Sequence, residues 1–367
     1  MAFALEDWVA LKELEGMGPT KKLDLIKALG DPALALEAAK DSGLGEGLEK
    51  ALAEAHRILT LCEKKEIQVI ALSHEAYPEL LKYISDPPLV LYVKGTLPDN
   101  PSLGVVGSRR ASSYGIDAAV KFSSQLCKAG FSVVSGMARG IDTAAHCGAL
   151  KGGGPTAAVL GCGPDFVYPP ENAMLMERIA ENGAVLSEYA PGTEPRAFHF
   201  PCRNRIISGM CLGVMVVEAG VKSGSLITAQ TALEQGREVF AVPGNLSSFN
   251  SRGTNKLIQD GAKLVLALSD ILEEFGMDTS SLEARSLKDT PLPLAVKLFS
   301  ETAGSYDGTL TVPEKEVLIN LGIEDLFDEE MGMKTGMKPS ELSGVLLSLE
   351  LKGLIQRTLS GRFRRTL

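Results

Sequence analysis

Residues 102–116 read SLGVVGSRRASSYGI, and this segment is the clearest indication of the fold class. An apolar, β-rich run ends at Gly107, and Ser and Arg residues follow before a helical pattern begins at Tyr114. A buried strand, a polar loop and an amphipathic helix in this order are typical of a parallel α/β sheet. The stretch therefore predicts the first strand-loop-helix unit of such a sheet.

The same unit recurs as far as residue 268, which favours a doubly wound, mostly parallel sheet with helices on both faces. The predicted strands are SLGVVG (102–107), FSVVSG (131–136), TAAVLG (156–161), AVLSE (184–188), LGVMVVE (212–218), REVFAVPG (237–244) and KLVLAL (263–268). The predicted helices include YGIDAAVKFSSQLCKAG (114–130), GIDTAAHCGALKGG (140–153) and SLITAQTALEQGR (225–237). We therefore expect an α/β core with a Rossmann-like fold, spanning 86–276.

The region before the core, residues 1–85, has helical periodicity in DWVALKELEG, KKLDLIKALG and GLEKALAEAHRILTLC. This periodicity predicts a small all-α domain. Its turn GMGPT (16–20) is similar to that of a helix-hairpin-helix, whose amides can hold a phosphate. A plain turn between packed helices explains the same residues at least as well.

The region after the core begins with a polar segment, 277–295, that contains two prolines and predicts a linker. Residues 296–367 then form the last predicted domain. A capped helix begins at Pro339 or Ser340, and two strand-like runs follow it around a Ser-Gly turn. This order is similar to the end of a winged-helix module.

Composition sets the class of protein. The chain has 367 residues, of which 45% are hydrophobic, as expected for a globular protein of two or three domains. It has no run of about 18 apolar residues and no secretion signal, so we expect a soluble, cytoplasmic protein without a membrane partner. Six cysteines without a C-x-x-C pair and four scattered histidines predict reduced thiols and no metal site.

The net charge of −9 would by itself argue against a nucleic-acid partner. The basic residues are nevertheless clustered. Three arginines and no acid lie from Pro195 to Met210, two arginines and no acid from Gly104 to Ile116, and five basic residues and no acid from Leu351 to the end. This distribution predicts basic patches on an acidic body.

The loops that follow the predicted strands share one character. In an open parallel sheet, ligands bind outside the carboxyl ends of the strands. Four loops there are rich in Gly, Ser and Arg: SRRASSYG, MARGID, EYAPGTEPRAFHFPCRNRIISG and AGVKSGSLITA. In the first, Gly107 allows close approach, Ser108 offers a hydroxyl and Arg109 offers a planar fork for phosphate oxygens.

Two others of these four loops offer comparable groups. Free amides at the start of the predicted helix SLITAQTALEQ would face an anion, with charge and hydroxyls from Lys222, Ser223, Gly224, Ser225 and Thr228. We interpret HFPCRNRII as a loop that joins an aromatic face to two guanidinium groups, through Phe200, Arg203, Asn204 and Arg205. Such a loop could stack a base while holding its phosphate.

Taken alone, a Gly-Ser loop after a strand is more often a tight strand-to-helix connection, and a pair of arginines is more often a solvated surface. Four such loops at one edge favour a ligand several nucleotides long. Motifs for other chemistry are missing, because the sequence lacks G-x-G-x-x-G, G-x-x-x-x-G-K-[ST] and G-x-S-x-G. Asp142 and His146 lie one helical turn apart and could form an acid/base pair, but we favour a simple i,i+4 contact.

Eight segments, taken in chain order, carry a family resemblance over roughly residues 75–275. They are GVVGSRRASSYG, VVSGMARGIDTAAH, AVLGCGPDFVYPPEN, LSEY, HFPCRNRIISG, VVEAGVKSGSLITA, VFAVPG and GTNKLIQDGA. Together they resemble the DNA-processing protein A (DprA/Smf) family. The resemblance implies a core that binds single-stranded DNA, protects incoming strands during natural transformation and loads the RecA recombinase, without catalytic turnover or cofactor.

The resemblance also implies a set of functional residues. The implied DNA groove comprises Gly107, Ser108, Arg109, Gly136, Phe200, Arg203, Asn204, Arg205, Ser223, Gly224, Ser225 and Thr228. A homodimer contact near Leu257 and Ile258 is implied as well. The flanking regions are similar to a SAM-like helical domain and a winged-helix domain.

The main alternative is enzymatic. Rossmann-like phosphoribohydrolases that cleave nucleoside monophosphates share a phosphate-binding sheet edge, but their P-G-G-x-G-T-x-x-E signature has no counterpart here. Glu218 is a candidate acid on weak grounds only. A purely structural oligomer would leave the clustered Arg, Gly and Ser without a purpose.

Overall fold

A computed structural model describes residues 4–277, 310–321, 327–357 and 363–365. The chain divides into two compact units, Met1–Lys288 and Asp289–Leu367. The predicted linker, 277–295, lies outside the described residues except for Met277.

A nine-stranded sheet forms the centre of the first unit. Its strands are β1 (Gln68–Ala71), β2 (Val90–Gly95), β3 (Ser102–Val106), β4 (Ser132–Ser135), β5 (Thr156–Val159), β6 (Gly183–Ser187), β7 (Gly213–Val216), β8 (Glu238–Ala241) and β9 (Lys263–Leu264). Their order across the sheet is β1-β2-β6-β5-β4-β3-β7-β8-β9. Strands β3 to β9 are parallel, whereas β2 is antiparallel to both β1 and β6. The predicted mostly parallel α/β core is confirmed.

Each of the seven predicted strands matches one of β3 to β9, but β1 and β2 were not predicted. Strand β1 lies within the range 1–85, whose neighbouring segments are helical, and its residues QVIA do not alternate between polar and apolar. The sheet therefore begins before the predicted boundary of the core.

Helices cover both faces of the sheet. The helices of the core are α5 (Glu79–Lys82), α6 (Ser113–Lys128), α7 (Ile141–Gly152), α8 (Ala173–Glu181), α9 (His199–Gly209), α10 (Gly224–Glu234), α11 (Arg252–Gln259) and α12 (Leu268–Glu274). Leu103 and Val105 of β3 pack with α6 and α7, while Val106 packs with α9 and α10 on the other face. Alternate residues of one strand thus serve two buried layers.

The helical segment that precedes the sheet belongs to the same unit. It comprises α1 (Leu5–Glu13), α2 (Pro19–Leu29), α3 (Pro32–Ala39), a π-helical turn (Lys40–Leu44) and α4 (Gly45–Lys64). Trp8 and Leu11 of α1 share a core with Val90 and Tyr92 of β2. After α4, Lys65 forms a 2.6 Å ion pair with Asp165 in the loop that follows β5.

The described residues of the second unit form three helices and a hairpin: α13 (Val312–Leu321), α14 (Asp328–Thr335), α15 (Pro339–Leu351), β10 (Ile355–Arg357) and β11 (Phe363–Arg365). The predicted helix start at Pro339 is confirmed. The carboxylate of Glu314 accepts hydrogen bonds from Ser348 (2.6 Å) and Lys352 (2.5 Å), which join α13 to the end of α15.

The described residues contain neither a membrane-spanning helix nor a cluster of metal ligands. None of their helices combines the length and apolar character that crossing a bilayer requires. Within the same ranges, no three His, Cys, Asp or Glu side chains converge in a way that could hold a metal ion.

His146 is buried beside Thr156, the first residue of β5, and does not form the predicted i,i+4 contact. Its Nδ1 lies 2.7 Å from Oγ1 of Thr156, and that hydroxyl donates to the Val133 carbonyl (2.7 Å). Nδ1 must therefore carry the proton and donate to Thr156, while Nε2 has no hydrogen-bond partner among the described residues. Asp142 instead accepts from the amide of Ala138 (3.3 Å). The two side chains do not form an acid/base pair.

We expect Gly95→Ala to destabilise the protein more than Gly130→Ala. Both glycines have positive φ, +93° and +90°, so each substitution costs about 1–2 kcal/mol in backbone strain. At Gly95 an added Cβ would also overlap the carbonyl oxygens of Gly183 and Ala180, whereas at Gly130 nothing lies within 4 Å. Thermal unfolding followed by circular dichroism compares the two. Equal midpoints would contradict this account.

We expect stability to fall as the pH drops below about 6.5, partly because of His146. Burial, reinforced by the positive charge of Arg203, lowers the pKa of His146 from 6.5 to about 3. Between these values the unfolded chain binds a proton that the folded chain does not, so unfolding gains up to about 1.4 kcal/mol per pH unit.

Urea denaturation at pH 7.5 and pH 5 measures this contribution. In His146→Gln, which cannot ionise, the loss of stability between the two pH values should be smaller by about 2 kcal/mol. An identical loss in both proteins would show that His146 does not contribute.

Candidate nucleic-acid interface

The order of the strands places a topological switch between β3 and β7. From β3 the chain proceeds outward through β4, β5 and β6, and it then returns to β7 on the other side of β3. The loops that follow parallel strands meet at the carboxyl edge of the sheet, and ligands of open α/β sheets bind at such a switch. We call this edge, formed by the segments after β3 to β8, the rim.

Glu218, which follows β7, fills the switch. Its side chain is 2% exposed and its carboxylate accepts from the amide of Ser112 (2.8 Å) and from the Ser112 hydroxyl. Ser112 caps α6, and a Cβ at Gly115 in the first turn would overlap the carboxylate. The chain's own negative charge therefore occupies the amino end of α6, where this fold can hold a nucleotide phosphate.

The segment Gly107-Ser108-Arg109 lies at the rim beside the switch. Gly107 has no room for a side chain, because an added Cβ would lie 2.6 Å from Ile141 and 2.8 Å from the Glu218 carbonyl. The Ser108 amide donates to that carbonyl (2.8 Å), and its hydroxyl accepts from the amide of Arg110 (3.1 Å). The side chain of Arg109 is exposed. Arg109 is the most exposed of the three, and the Ser108 hydroxyl, which accepts one hydrogen bond, can still donate another.

The interpretation of HFPCRNRII as a loop is wrong, because these residues begin helix α9. Pro201 and the polar composition favour a loop in sequence, but Pro201 stands in the first turn, where its missing N–H breaks no helical hydrogen bond. Phe200 and Asn204 are half-buried on this helix, whereas Arg203 is buried. Arg203 is therefore not part of the exposed surface.

Arg203 points into the protein and braces the ends of two strands. It is 3% exposed, and its guanidinium donates to the carbonyls of Gly136 (2.8 Å) and Val159. A Cβ at Gly136 would lie 2.6 Å from the guanidinium, so the glycine makes this approach possible. Burial lowers the pKa of Arg203 to about 10. The predicted phosphate contact of Arg203 does not fit this geometry, and Gly136 is buried with it.

Arg205 is also engaged within the protein. It forms a bidentate pair with Glu188 (2.7 and 2.8 Å) and a further pair with Asp86 (2.8 Å). These partners raise the pKa of Arg205. Because two carboxylates already compensate the charge of its guanidinium, Arg205 is poorly placed to bind a phosphate.

The amino end of α10 carries the second predicted phosphate seat. Ser223 caps the helix by accepting from the amide of Ser225 (3.4 Å), and the two hydroxyls lie 2.8 Å apart. Ser225 and Thr228 are buried, whereas Gly224 and Lys222 are exposed. The groups open to a ligand here are the Lys222 ammonium and the backbone at Gly224.

Phe200 packs onto the backbone of the loop that follows β5. A Cβ at Gly161 would lie 2.9 Å from its ring. The Arg109 guanidinium lies 5.4 Å from the ring centroid, and the ring of Tyr168 lies at the same distance. Phe200 thus supports Arg109 and Tyr168, and its half-buried ring offers less free surface than predicted.

The set of predicted site residues omits several exposed groups at the rim. The rings of Tyr168 and Phe198 are 38% and 61% exposed. Exposed arginines stand after β3 (Arg110), in the loop before α9 (Arg196) and at the start of α11 (Arg252). All follow a predicted strand, so inspecting every residue of those loops, and not only their motifs, would have found them.

The rim carries several unpaired basic residues although the protein is acidic. Among the described residues of the rim, five exposed cations have no carboxylate within 4 Å: Arg109, Arg110, Arg196, Lys222 and Arg252. Arg139 differs, because it pairs with Glu171. A row of unpaired cations with exposed aromatic rings suits a polyanion that also carries flat bases.

Leu257 and Ile258, named in sequence for a dimer contact, lie on α11. Both are half-buried in the single chain, and Leu257 packs against the core.

Comparison with known proteins identifies similar chains. The DNA processing protein DprA of Bacillus subtilis is 41% identical over 259 residues, which cover 69% of this chain and 87% of that protein. The X-ray structure of DprA from Streptococcus pneumoniae matches with a TM-score of 0.63 and 37% identity, over 75% of this chain and 99% of that one.

A structure of DNA processing protein A from Helicobacter pylori, which concerns the single-stranded DNA binding mode of that protein, matches with a TM-score of 0.52. The identity is 30%, over 57% of this chain and 95% of that one. The family described as DNA recombination-mediator protein A matches residues 68–276, a range that runs from β1 to the end of the core. The chain therefore belongs to the DNA recombination-mediator protein A family, the DprA/Smf proteins.

Proposed function

We propose that this protein binds single-stranded DNA along the rim and acts as a recombination mediator in natural transformation. The observation that carries the proposal is the row of five exposed, unpaired cations beside the exposed rings of Tyr168 and Phe198. Cations bind the phosphates without regard to sequence, and rings stack bases that are accessible only in an unpaired strand. The single-stranded DNA binding of the Helicobacter pylori relative supports this assignment.

The proposed activity is binding, without catalysis. A nucleotide-cleaving enzyme of this fold would need a phosphate site and a free acid near the switch. The Glu218 carboxylate occupies the amino end of α6, where it accepts hydrogen bonds from the amide and the hydroxyl of Ser112. Asp142 is buried, and burial raises its pKa. These contacts disfavour the phosphoribohydrolase alternative.

In this proposal the bound strand is protected and then passed to RecA by a cytoplasmic homodimer. The dimer contact includes Leu257 and Ile258, and the second unit is a winged-helix domain.

Ile258→Arg places a charge in the proposed dimer contact. Light scattering coupled to gel filtration should then report a monomer, whereas an unchanged dimer would exclude this surface.

We expect Arg109→Glu to weaken binding to every single-stranded oligonucleotide. Removing one phosphate contact and adding repulsion should raise the Kd for oligothymidylate by about tenfold or more, and lower the slope of log K against log salt by about one. Fluorescence anisotropy measures both. The matched control is Lys128→Glu, which makes the same kind of charge reversal at the far end of α6. Equal effects of the two variants would contradict a localised site.

Arg203→Lys provides a second comparison, because Arg203 braces the strand ends from within. Losing a donor to the Gly136 or Val159 carbonyl should cost about 1–3 kcal/mol of stability. Arg109 is exposed, so Arg109→Glu should change stability by about 0.5 kcal/mol or less.

Gel shifts with single-stranded and double-stranded oligonucleotides, with nucleotide hydrolysis assayed in parallel, test the proposed function itself. Turnover, or a preference for duplex DNA, would overturn it.

A further inference from the structure

Phe249 is an exposed aromatic ring on the part of the rim beyond the switch. It begins a short 3₁₀ turn (Phe249–Ser251) after β8, and its side chain is 65% exposed. Its ring rests on the backbone after β7, because a Cβ at Gly220 would lie 2.6 Å from the ring atom Cε1. Phe200 rests on Gly161 after β5 in the same manner. On each side of the switch, therefore, the rim has an aromatic ring that packs against a glycine.

The backbone beneath Phe249 is firmly held. The amide of Ala219 donates to the Asn250 carbonyl (2.7 Å), and the amide of Gly253 donates to the Ala219 carbonyl (2.7 Å). The Asn250 side chain donates to the carbonyl of Arg110 (2.8 Å). These bonds join the segments after β3, β7 and β8, so Phe249 is positioned before any ligand binds.

Cations accompany the ring. Arg110 is tied to the same turn through Asn250, Arg252 lies three residues after Phe249, and Lys222 lies two residues after Gly220. All three are exposed, and none has a carboxylate within 4 Å in the part of the chain that the structure describes. An apolar ring held open among unpaired cations is suited to a base whose phosphates are bound alongside.

We propose that Phe249 is a second base-stacking platform, which carries the bound DNA strand across the switch. The proposal rests on the function proposed above. The Tyr168–Phe198 side and the Phe249 side are separated by the four strand spacings from β5 to β8, roughly 19 Å at about 4.8 Å each. Arg109 and Arg110 lie between the two sides, so one strand of DNA meets rings at both ends of a cationic centre.

Two substitutions at Phe249 test the platform in the full-length protein. Phe249→Ala should raise the Kd for a 20-nucleotide oligothymidylate by about fivefold or more, because one base of the bound strand then loses its stacking partner. Phe249→Trp should keep the parental Kd within about twofold. The oligonucleotide should also quench the fluorescence of the introduced indole, which is distinguishable because the chain's single tryptophan, Trp8, is 2% exposed.

Two controls isolate stacking from other effects. Leu246→Ala removes a side chain that is 84% exposed in the same connection and should leave the Kd unchanged. An abasic deoxyribose-phosphate oligomer of equal length presents phosphates without bases, so the parent and Phe249→Ala should bind it equally.

The outcomes separate the two proposals. If the parent fails to bind oligothymidylate, the proposed function itself is wrong. If the parent binds, but Phe249→Ala has the parental Kd and the indole is not quenched, the platform alone is overturned. An equal loss of affinity of Phe249→Ala for oligothymidylate and for the abasic oligomer would also overturn it, because the ring would then act on something other than a base.

Discussion

The buried carboxylate of Glu218 is the contact on which the arrangement of the rim depends. Its side chain holds the amino end of α6 through Ser112, and its backbone carbonyl receives the amide of Ser108. Asn250 approaches the same carboxylate at 3.5 Å. One residue therefore connects the segments that follow β3, β7 and β8. A buried carboxylate is tolerated here because donors and the positive end of a helix surround it.

This contact also determines what the rim can bind. In a nucleotide-binding α/β sheet the amino end of a helix at the switch is open to a phosphate. Here that position is taken from within, so negative ligands must rely on side chains that project outward. Arg109, Arg110 and Lys222 provide such charge on the solvent side. A surface of this kind favours an extended polyanion over a single enclosed nucleotide.

Glycines at the strand ends have a second role at this edge. Gly136 admits the Arg203 guanidinium, Gly161 admits the ring of Phe200, and Gly220 admits the ring of Phe249. In each case a large side chain packs directly against backbone and gains a defined orientation. The three predicted arginines therefore have different roles. Arg203 supports the rim from inside, and the charge of Arg205 is compensated by Glu188 and Asp86. The side chain of Arg109 remains exposed to solvent.

The parallel core was predictable from sequence because strands buried on both faces are continuous apolar runs, and the polar loops after them mark one edge of the sheet. All seven predicted strands are present. Strand β1 was not predicted because it lies close to strongly helical segments and its residues QVIA do not alternate, and β2 was not predicted because it precedes residue 102, where the predicted sheet begins. Helix α9 was missed because Pro201 and neighbouring polar residues are typical of a loop, although a proline in the first turn is compatible with a helix.

The fold class, the family and the edge that carries the candidate site could all be predicted from the amino-acid sequence. These follow from patterns that are local along the chain, and the strand order brings the local segments together. Which basic and aromatic side chains reach solvent could be read only from the three-dimensional packing. That choice depends on contacts between segments far apart in sequence, such as Arg203 with Gly136 and Phe249 with Gly220. The sequence does not distinguish an arginine that supports the core from one that faces a ligand, because the difference lies in the packing around each side chain.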